Sequence, residues 1–174
     1  MRICTSHELT YYLIACIIYA KEILSCITNK KNGLLSESLT QCALLEHNLP
    51  FAIPYGSFDE YDFIVQTSKG FKSIQVKTCY FDNSKKRFMV SLCTSHRRGG
   101  ETIKNKKYSE SSFDYLIAVC HAPLTFYIIP IDVISDRRAI TLYPNGIPST
   151  SKGNPRFESM VDFEIYKDNW SLLE

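Results

Sequence analysis

Apolar and polar positions alternate through the middle of the chain in a way that predicts two paired strands. Residues 61–78 contain two apolar runs separated by the turn residues Ser68-Lys69-Gly70. In the second run Gln75 and Lys77 alternate with apolar residues, and residues two apart on a strand point to the same face. If the two runs pair as a hairpin, Asp62 at the start of the first run lies beside Gln75 and Lys77.

The rest of the chain divides into further elements by the same reasoning. The pattern predicts helices over about residues 6–24 and 34–47, with a polar break at 28–33 between them. It predicts strands over 87–94, 115–120 and 126–131, a polar loop over 95–112, and an irregular tail from 132 with a final strand over 160–166. The element order predicts an α/β fold, a sheet flanked by helices. We expect residues 1–32 to form an N-terminal helical extension and 33–174 the main domain.

Composition is ordinary for a soluble globular protein: 45% hydrophobic, 22% charged, net charge +2. The seven cysteines are odd in number, widely spaced and without a CxxC motif, which argues against a disulfide framework or a zinc ribbon. Pairs such as Cys120-His121 offer soft ligands, but most of these cysteines lie within apolar runs and fit buried hydrophobes better. We therefore expect a reducing, cytoplasmic environment, with the protein associated with the nucleoid.

The apolar run at residues 11–20 is too short to cross a bilayer as a helix. His7 and Glu8 precede it and no small-x-small cleavage site follows, which argues against a signal peptide. We interpret it as a buried or subunit-contacting helix and expect no membrane partner. A protein held at a membrane surface by this run stays open as an alternative.

A basic stretch follows the hairpin, offset only by Glu101 between Ser84 and Tyr108. Such a stretch is usually solvated surface, but polar and aromatic residues are interleaved here and Gly99-Gly100 gives flexibility. We expect it to contact DNA phosphates, with an affinity that falls as salt rises. The predicted DNA-binding residues are Lys85, Lys86, Arg87, Ser95, His96, Arg97, Arg98, Lys104, Lys106, Lys107 and Tyr108.

The polar residues of the hairpin suit metal-assisted phosphodiester hydrolysis. A divalent cation such as Mg²⁺ prefers oxygen ligands, which the Asp62 carboxylate, the Gln75 amide and the Val76 carbonyl supply. Lys77 suits orienting the attacking water or stabilising the developing charge. Glu37, on the preceding helix, completes the ligand set directly or through water. An exposed first-turn acid fits Glu37 equally well.

Asp62 with Gln75-Val76-Lys77 resembles the PD-(D/E)XK nuclease motif in the variant where glutamine replaces the second acid. The ordered segments Gly33–Glu37, Pro54–Gly56 and Asp114-Tyr115 are similar to those of homing endonucleases of this class encoded in group I introns. The eponymous proline is replaced by Tyr61.

The resemblance implies a mixed central β-sheet flanked by helices, with a restriction-endonuclease-like core. It also implies a Mg²⁺-dependent endonuclease, with Mn²⁺ able to substitute, that acts on double-stranded DNA as a homo-oligomer, a dimer or tetramer. Glu37, Asp62, Gln75 and Lys77 are then the catalytic residues, and Asp62, Gln75, Val76 and Glu37 the metal ligands.

Other readings stay open. A junction-resolving, restriction or repair nuclease fits the same core. A non-catalytic DNA-binding module with a degenerate site is consistent with Gln75, which removes one charge from the metal site. Asp114 fits a structural cap at least as well as a site acid, and Trp170 fits the core better than nucleotide stacking.

Overall fold

The computed structural model describes residues 29–55, 60–94, 97–98, 101–102, 106–146 and 162–174. By its internal contacts the chain divides into two compact units, Met1–Asn32 and Gly33–Glu174. The second unit holds every strand that the structure describes. The helix predicted over residues 6–24 lies outside the described residues.

Helix α1 (Asn29–Glu46) begins earlier than the sequence predicts, because the expected polar break over Asn29–Gly33 is helical. A glycine inside a helix costs only about 1 kcal/mol relative to alanine, so one glycine does not stop the helix. Ser36, Thr40 and Leu44 are fully buried at 0% exposure. Their spacing of four places them on one face of α1, which faces the core. This inward face is polar in its first half and apolar in its second.

The end of α1 is set by its own sequence. Asn48 adopts a left-handed backbone with φ of 55°. Its N–H donates to the Leu45 carbonyl at 3.1 Å, and the Leu49 N–H donates to the Leu44 carbonyl at 2.9 Å. This is a Schellman motif, for which asparagine is a good substitute for glycine, and Pro50 prevents further helix.

The strands, in chain order, are β1 (Phe51–Ala52), β2 (Phe63–Thr67), β3 (Gly70–Thr78), β4 (Tyr80–Asp82), β5 (Arg87–Ser91), β6 (Cys93–Thr94), β7 (Arg97–Arg98), β8 (Glu101–Thr102), β9 (Lys106–Lys107), β10 (Tyr115–His121), β11 (Leu124–Pro130) and β12 (Ala139–Leu142). The main sheet has the order β1-β2-β3-β10-β11. Within it β3 and β10 run parallel and the other neighbours antiparallel, so the sheet is mixed as predicted.

The predicted hairpin is β2 and β3, joined by the two-residue turn Ser68-Lys69. Thr67 pairs with Gly70, whose φ of 105° suits a glycine in a tight turn. The Thr67 side chain closes the turn, since Oγ1 accepts from the Lys69 N–H at 3.1 Å and donates to the Gly70 carbonyl at 2.8 Å. This turn fixes the register of every pair between the two strands.

The central strand β10 is covered on both faces, as its nearly continuous apolar sequence predicts. Ile117 packs in a cluster with Leu44 of α1 and Val76 of β3. Leu116, on the other face, packs with Phe88 of β5. That second layer is the antiparallel sheet β12-β5-β4.

Residues 93–107 differ from the polar loop that the sequence predicts. Their described backbone forms two short antiparallel pairs, β6 with β9 and β7 with β8. Strands of two residues are too short to show an alternation of apolar and polar positions. Strand pairing here comes from contacts across the segment rather than from local pattern.

The C-terminal part also differs. Helix α2 (Ile131–Ile134) follows β11, and β12 pairs with β5. Where the sequence predicts a final strand, Phe163–Tyr166 is a 3-10 helix whose first N–H groups are capped by Asp162. A second 3-10 helix, Trp170–Leu172, follows.

Trp170 is a core residue, as predicted. It is 5% exposed, stacks on His47 with ring centroids 4.8 Å apart, and lies 5.3 Å from the Phe126 ring. It therefore ties the C-terminal 3-10 helix to the end of α1. Among the described residues, no helix combines the length and the apolar character needed to cross a membrane.

Candidate active site

Asp62 lies just before β2, and the hairpin register sets its neighbours. Phe63 pairs with Ile74, so Asp62 falls opposite Gln75. The Asp62 N–H donates to the Ile74 carbonyl at 2.7 Å. Its Oδ2 accepts from the Val76 N–H at 2.7 Å and from the Gln75 side-chain amide. Burial raises the pKa of Asp62, and the Val76 N–H, Lys77 and Gln75 only partly offset that rise.

Gln75 bridges two acceptors. Its Nε2 donates to Asp62 Oδ2 and also to the Val76 carbonyl, at 3.0 Å. A carboxylate and a carbonyl can only accept, so the NH₂ end of the amide must face them. The partially positive amide nitrogen thus lies between two oxygens that were predicted as cation ligands. Gln75 is 8% exposed.

Lys77 shares the Gln75 face of β3, opposite Val76. Its Nζ lies 5.5 Å from the centre of the Tyr108 ring, a cation–π contact. Burial lowers the pKa of Lys77, although the nearby Asp62 and Glu37 carboxylates act in the other direction.

Tyr108 is placed differently from its predicted role in binding DNA. It is 3% exposed and its ring packs edge-on against Phe113 at 4.8 Å. Burial raises the pKa of its hydroxyl. The ring is enclosed between Phe113 and the Lys77 side chain and has no free face on which a base could stack. Tyr108 therefore packs against Lys77 as part of the core.

Glu37 on α1 lies within electrostatic range of the hairpin residues. Burial raises its pKa, the Asp62 carboxylate raises it further, and the Lys77 ammonium lowers it. The structure therefore brings together the four predicted catalytic residues from two separate segments: Glu37, Asp62, Gln75 and Lys77. Their roles in catalysis stay predictions.

The donor set suits a hard divalent cation. Within the part of the chain that is described, no three His, Cys, Asp or Glu side chains converge on one point. Two carboxylates, Asp62 and Glu37, would supply the charge. The Val76 carbonyl and the Gln75 amide would supply neutral oxygens, the amide only after turning its oxygen toward the cation, because its NH₂ end faces Asp62 in this structure. Mg²⁺ typically binds through one or two carboxylates and keeps several waters, so these residues fit it.

Asp114 has a structural role, which the sequence offered as the alternative to a site acid. Its carboxylate accepts from Lys72 Nζ at 2.9 Å, and from the Ser73 N–H and Oγ, both at 2.8 Å. Its own N–H donates to the Ser73 carbonyl at 3.0 Å. Asp114 thereby fixes the start of β10 against β3.

The predicted DNA-binding residues separate into groups. Lys85 and Lys86 are exposed at the turn between β4 and β5, and Lys107 is exposed on β9. Arg87 instead turns along its own hairpin, where Nε lies 3.6 Å from Asp82 Oδ2, so an internal ion pair engages this charge.

For the remaining predicted DNA-binding residues, the structure describes at most the backbone. The backbone of Arg97, Arg98 and Lys106 forms short strands. Ser95, His96 and Lys104 lie outside the described residues.

The sequence prediction missed a cluster beside the site. Ser36 Oγ lies 2.7 Å from Thr78 Oγ1 and 2.9 Å from His121 Nε2. The spacing of Ser36 and Thr40 by one helical turn, followed by Ala43 and Leu44, was the available signal, because it places polar residues on the inward face of α1.

Comparisons with known proteins identify a family and a similar fold. A family model described as PD-(D/E)XK endonuclease matches residues 27–165. The structure of a bacterial homing endonuclease, I-Ssp6803I, is similar with a TM-score of 0.68 and 18% identity, over 84% of this chain and 93% of that one. The crystal structure of MepB has a TM-score of 0.45 and 12% identity, over 73% and 94% of the two chains. No curated protein matches the sequence.

Proposed function

The family match over residues 27–165 shows that this chain belongs to the PD-(D/E)XK endonuclease family, and on that premise we propose a Mg²⁺-dependent endonuclease that hydrolyses double-stranded DNA. The fold likeness to I-Ssp6803I supports the restriction-endonuclease-like core. The observation that carries the proposal is the half-buried Asp62 carboxylate, which accepts hydrogen bonds from the Gln75 amide and the Val76 N–H, one residue from Lys77.

Asp62 and Glu37 would hold the cation together with the Gln75 and Val76 oxygens. When bound, the cation would polarise the phosphate and lower the pKa of a ligated water. Burial raises the pKa of both carboxyls, so the folded chain disfavours their charged forms when no cation is bound. A divalent cation would favour those forms, and Mn²⁺, also a hard ion, should substitute.

Lys77 has a different task. Its ammonium lies over the Tyr108 ring, and the Asp62 and Glu37 carboxylates favour its charged form, so it would be held near the cation without being a ligand. From this position it would donate hydrogen bonds to the attacking water or to a phosphate oxygen. The exposed Lys85, Lys86 and Lys107 would bind phosphates outside the reacting bond.

We further propose that the enzyme is site-specific and belongs to the homing type. The likeness to the bacterial homing endonuclease I-Ssp6803I supports this, as does the order of motifs in the sequence. Cutting both strands of a duplex needs two sites, which favours a homo-oligomer acting on DNA in the cytoplasm.

The direct test is cleavage of DNA that contains the sequence flanking the gene. Purified protein with Mg²⁺ should give discrete fragments, and Lys77→Ala should abolish them while binding the same DNA. Four-way junctions and nicked duplexes in the same panel would reveal a resolvase or repair nuclease. Absence of cleavage across flanking DNA, Mg²⁺ and Mn²⁺ by a folded protein would refute the proposal.

A non-catalytic DNA-binding module is the second candidate, because Gln75 leaves the site with one carboxylate fewer than the usual motif. It predicts salt-sensitive DNA binding that Mg²⁺ does not alter. Calorimetric titration of Ca²⁺ into the protein, which probes cation binding without turnover, would separate the two candidates.

A further inference from the structure

Three polar side chains join α1 to the sheet beside the candidate active site. Ser36 Oγ is hydrogen-bonded to both Thr78 Oγ1 and His121 Nε2, at 2.7 and 2.9 Å. Ser36 is 0% and Thr78 9% exposed. None of the three takes part in the chemistry described above.

Two members of this cluster are adjacent in sequence to a residue of the site. Ser36 directly precedes Glu37, and Thr78 directly follows Lys77. His121 ends β10, next to the position where Val119 pairs with Thr78. Adjacent residues on a strand point to opposite faces, so Thr78 reaches α1 while Lys77 points to the other face.

A hydrogen bond constrains position in a way that apolar contacts do not. It weakens steeply when its angle departs from linear, whereas hydrophobic attraction has no direction. Leu44 holds α1 against the sheet, but the bonds of Ser36 set the rotation and axial position of the turn that carries Glu37. Burial lowers the pKa of His121, which favours its neutral ring. A neutral ring pairs with a hydroxyl in either tautomer, because the hydroxyl both donates and accepts.

We propose that Ser36, Thr78 and His121 form a positioning clasp that holds Glu37 near Asp62 and Lys77, so that Glu37 contributes to cation binding. This proposal rests on the proposed metal-dependent function. It assigns the three residues a role through Glu37 and no contact with substrate.

The test compares substitutions that differ by one hydroxyl. Thr78→Val removes the hydroxyl and keeps the shape, and Thr78→Ser keeps the hydroxyl. Thr125→Val is the matched control, since Thr125 is 3% exposed and bonds only locally, to the Pro123 carbonyl at 3.3 Å. Calorimetry with Ca²⁺ measures cation affinity, and DNA cleavage with Mg²⁺ measures rate and KM.

Thr78→Val should weaken Ca²⁺ affinity and lower kcat by about tenfold each, the equivalent of one well-placed hydrogen bond, with KM for DNA unchanged. Thr78→Ser and Thr125→Val should stay within about twofold of wild type. In a Glu37→Gln background the effect of Thr78→Val should vanish, because the two residues act as one unit.

Two results would overturn the clasp in a wild type that is active: an equal loss from Thr78→Val in both backgrounds, or a loss from Thr125→Val as large as that from Thr78→Val. Either would show general destabilisation. A folded wild type that neither binds Ca²⁺ nor cleaves DNA refutes the proposed function instead, and the clasp's role with it.

Discussion

Two aspartates, Asp114 and Asp62, are hydrogen-bonded to strand β3, and the pKa values of their carboxyls shift in opposite directions. Asp114 accepts hydrogen bonds from the ammonium of Lys72 and from the N–H and hydroxyl of Ser73. Although burial raises its pKa, those bonds outweigh burial and hold the pKa of Asp114 below its ordinary value. Asp62 accepts only from an amide side chain and a backbone N–H, and its pKa stays raised.

The difference distinguishes the structural Asp114 from Asp62, for which we propose a role in catalysis. Both aspartates are hydrogen-bonded to β3, so the presence of partners does not separate them. The charged partner does, because the Lys72 ammonium contacts Asp114 directly at 2.9 Å, whereas the Lys77 ammonium that interacts with Asp62 lies over the Tyr108 ring. A carboxylate left short of positive charge is prepared to bind a cation.

The largest expected effect is on cleavage. Asp62→Ala should lower the cleavage rate about 10³-fold, because it removes a cation ligand. Asp114→Ala should leave the rate within a few-fold and lower the free energy of unfolding by about 1–3 kcal/mol, since it leaves the Ser73 N–H without its acceptor. Cleavage assays and urea unfolding measure the two quantities. Equal losses of rate in both variants would erase the distinction.

The two lysines of β3 extend the comparison. Lys77→Met should lower cleavage by about 10²-fold and change the free energy of unfolding little, because folding disfavours its ammonium. Lys72→Met should retain activity, and its free energy of unfolding should fall by about 0.2–1 kcal/mol, as for other part-exposed ion pairs. If Lys72→Met were inactive, the assignment of Lys77 as the lysine of the active site would be wrong.

Gln75→Glu sharpens the role of the amide. A carboxylate at this position would face Asp62 and the Val76 carbonyl without a proton to donate. The metal-free variant should therefore be less stable by about 1–3 kcal/mol at neutral pH, and Mg²⁺ should restore more stability to it than to wild type. Thermal unfolding with and without Mg²⁺ tests this. Equal Mg²⁺ effects on both proteins would show that residue 75 does not contact the cation.

The smallest effect is a pair of opposite pH dependences. The raised pKa of Asp62 contributes stability that is present below its ordinary value of 3.8 and is lost as pH rises through the raised pKa. The lowered pKa of Asp114 contributes stability present above the ordinary value and lost as pH falls through the lowered pKa. Urea unfolding of Asp62→Asn and Asp114→Asn across this range should give difference curves of opposite slope. Mg²⁺ should flatten the Asp62 curve alone.

The sequence predicted the hairpin part of the site because that part is local. Alternation and a two-residue turn suffice to place Asp62 beside Gln75, and both lie within one hairpin. The buried central strand was equally predictable, since both its faces are apolar.

Contacts between distant segments could not be predicted in this way. Tyr108 contacts Lys77 because both lie where the second sheet packs against β10. Its position in a basic stretch of sequence had predicted a DNA contact instead. His121 meets Ser36 across 85 residues of chain. The 3-10 helix at Phe163–Tyr166 contains aromatic and β-branched residues typical of strands, and the cap from Asp162 overrides that preference.

The turn at Ser68-Lys69 has an evolutionary consequence. Side chains alternate between faces with a period of two, so inserting or deleting one residue there would shift the pairing and turn Gln75 and Lys77 toward α1. Related nucleases can therefore vary the identity of these turn residues while Gly70 or an equivalent keeps the backbone geometry. The length of the loop, in contrast, should be under selection as strict as that on the catalytic residues.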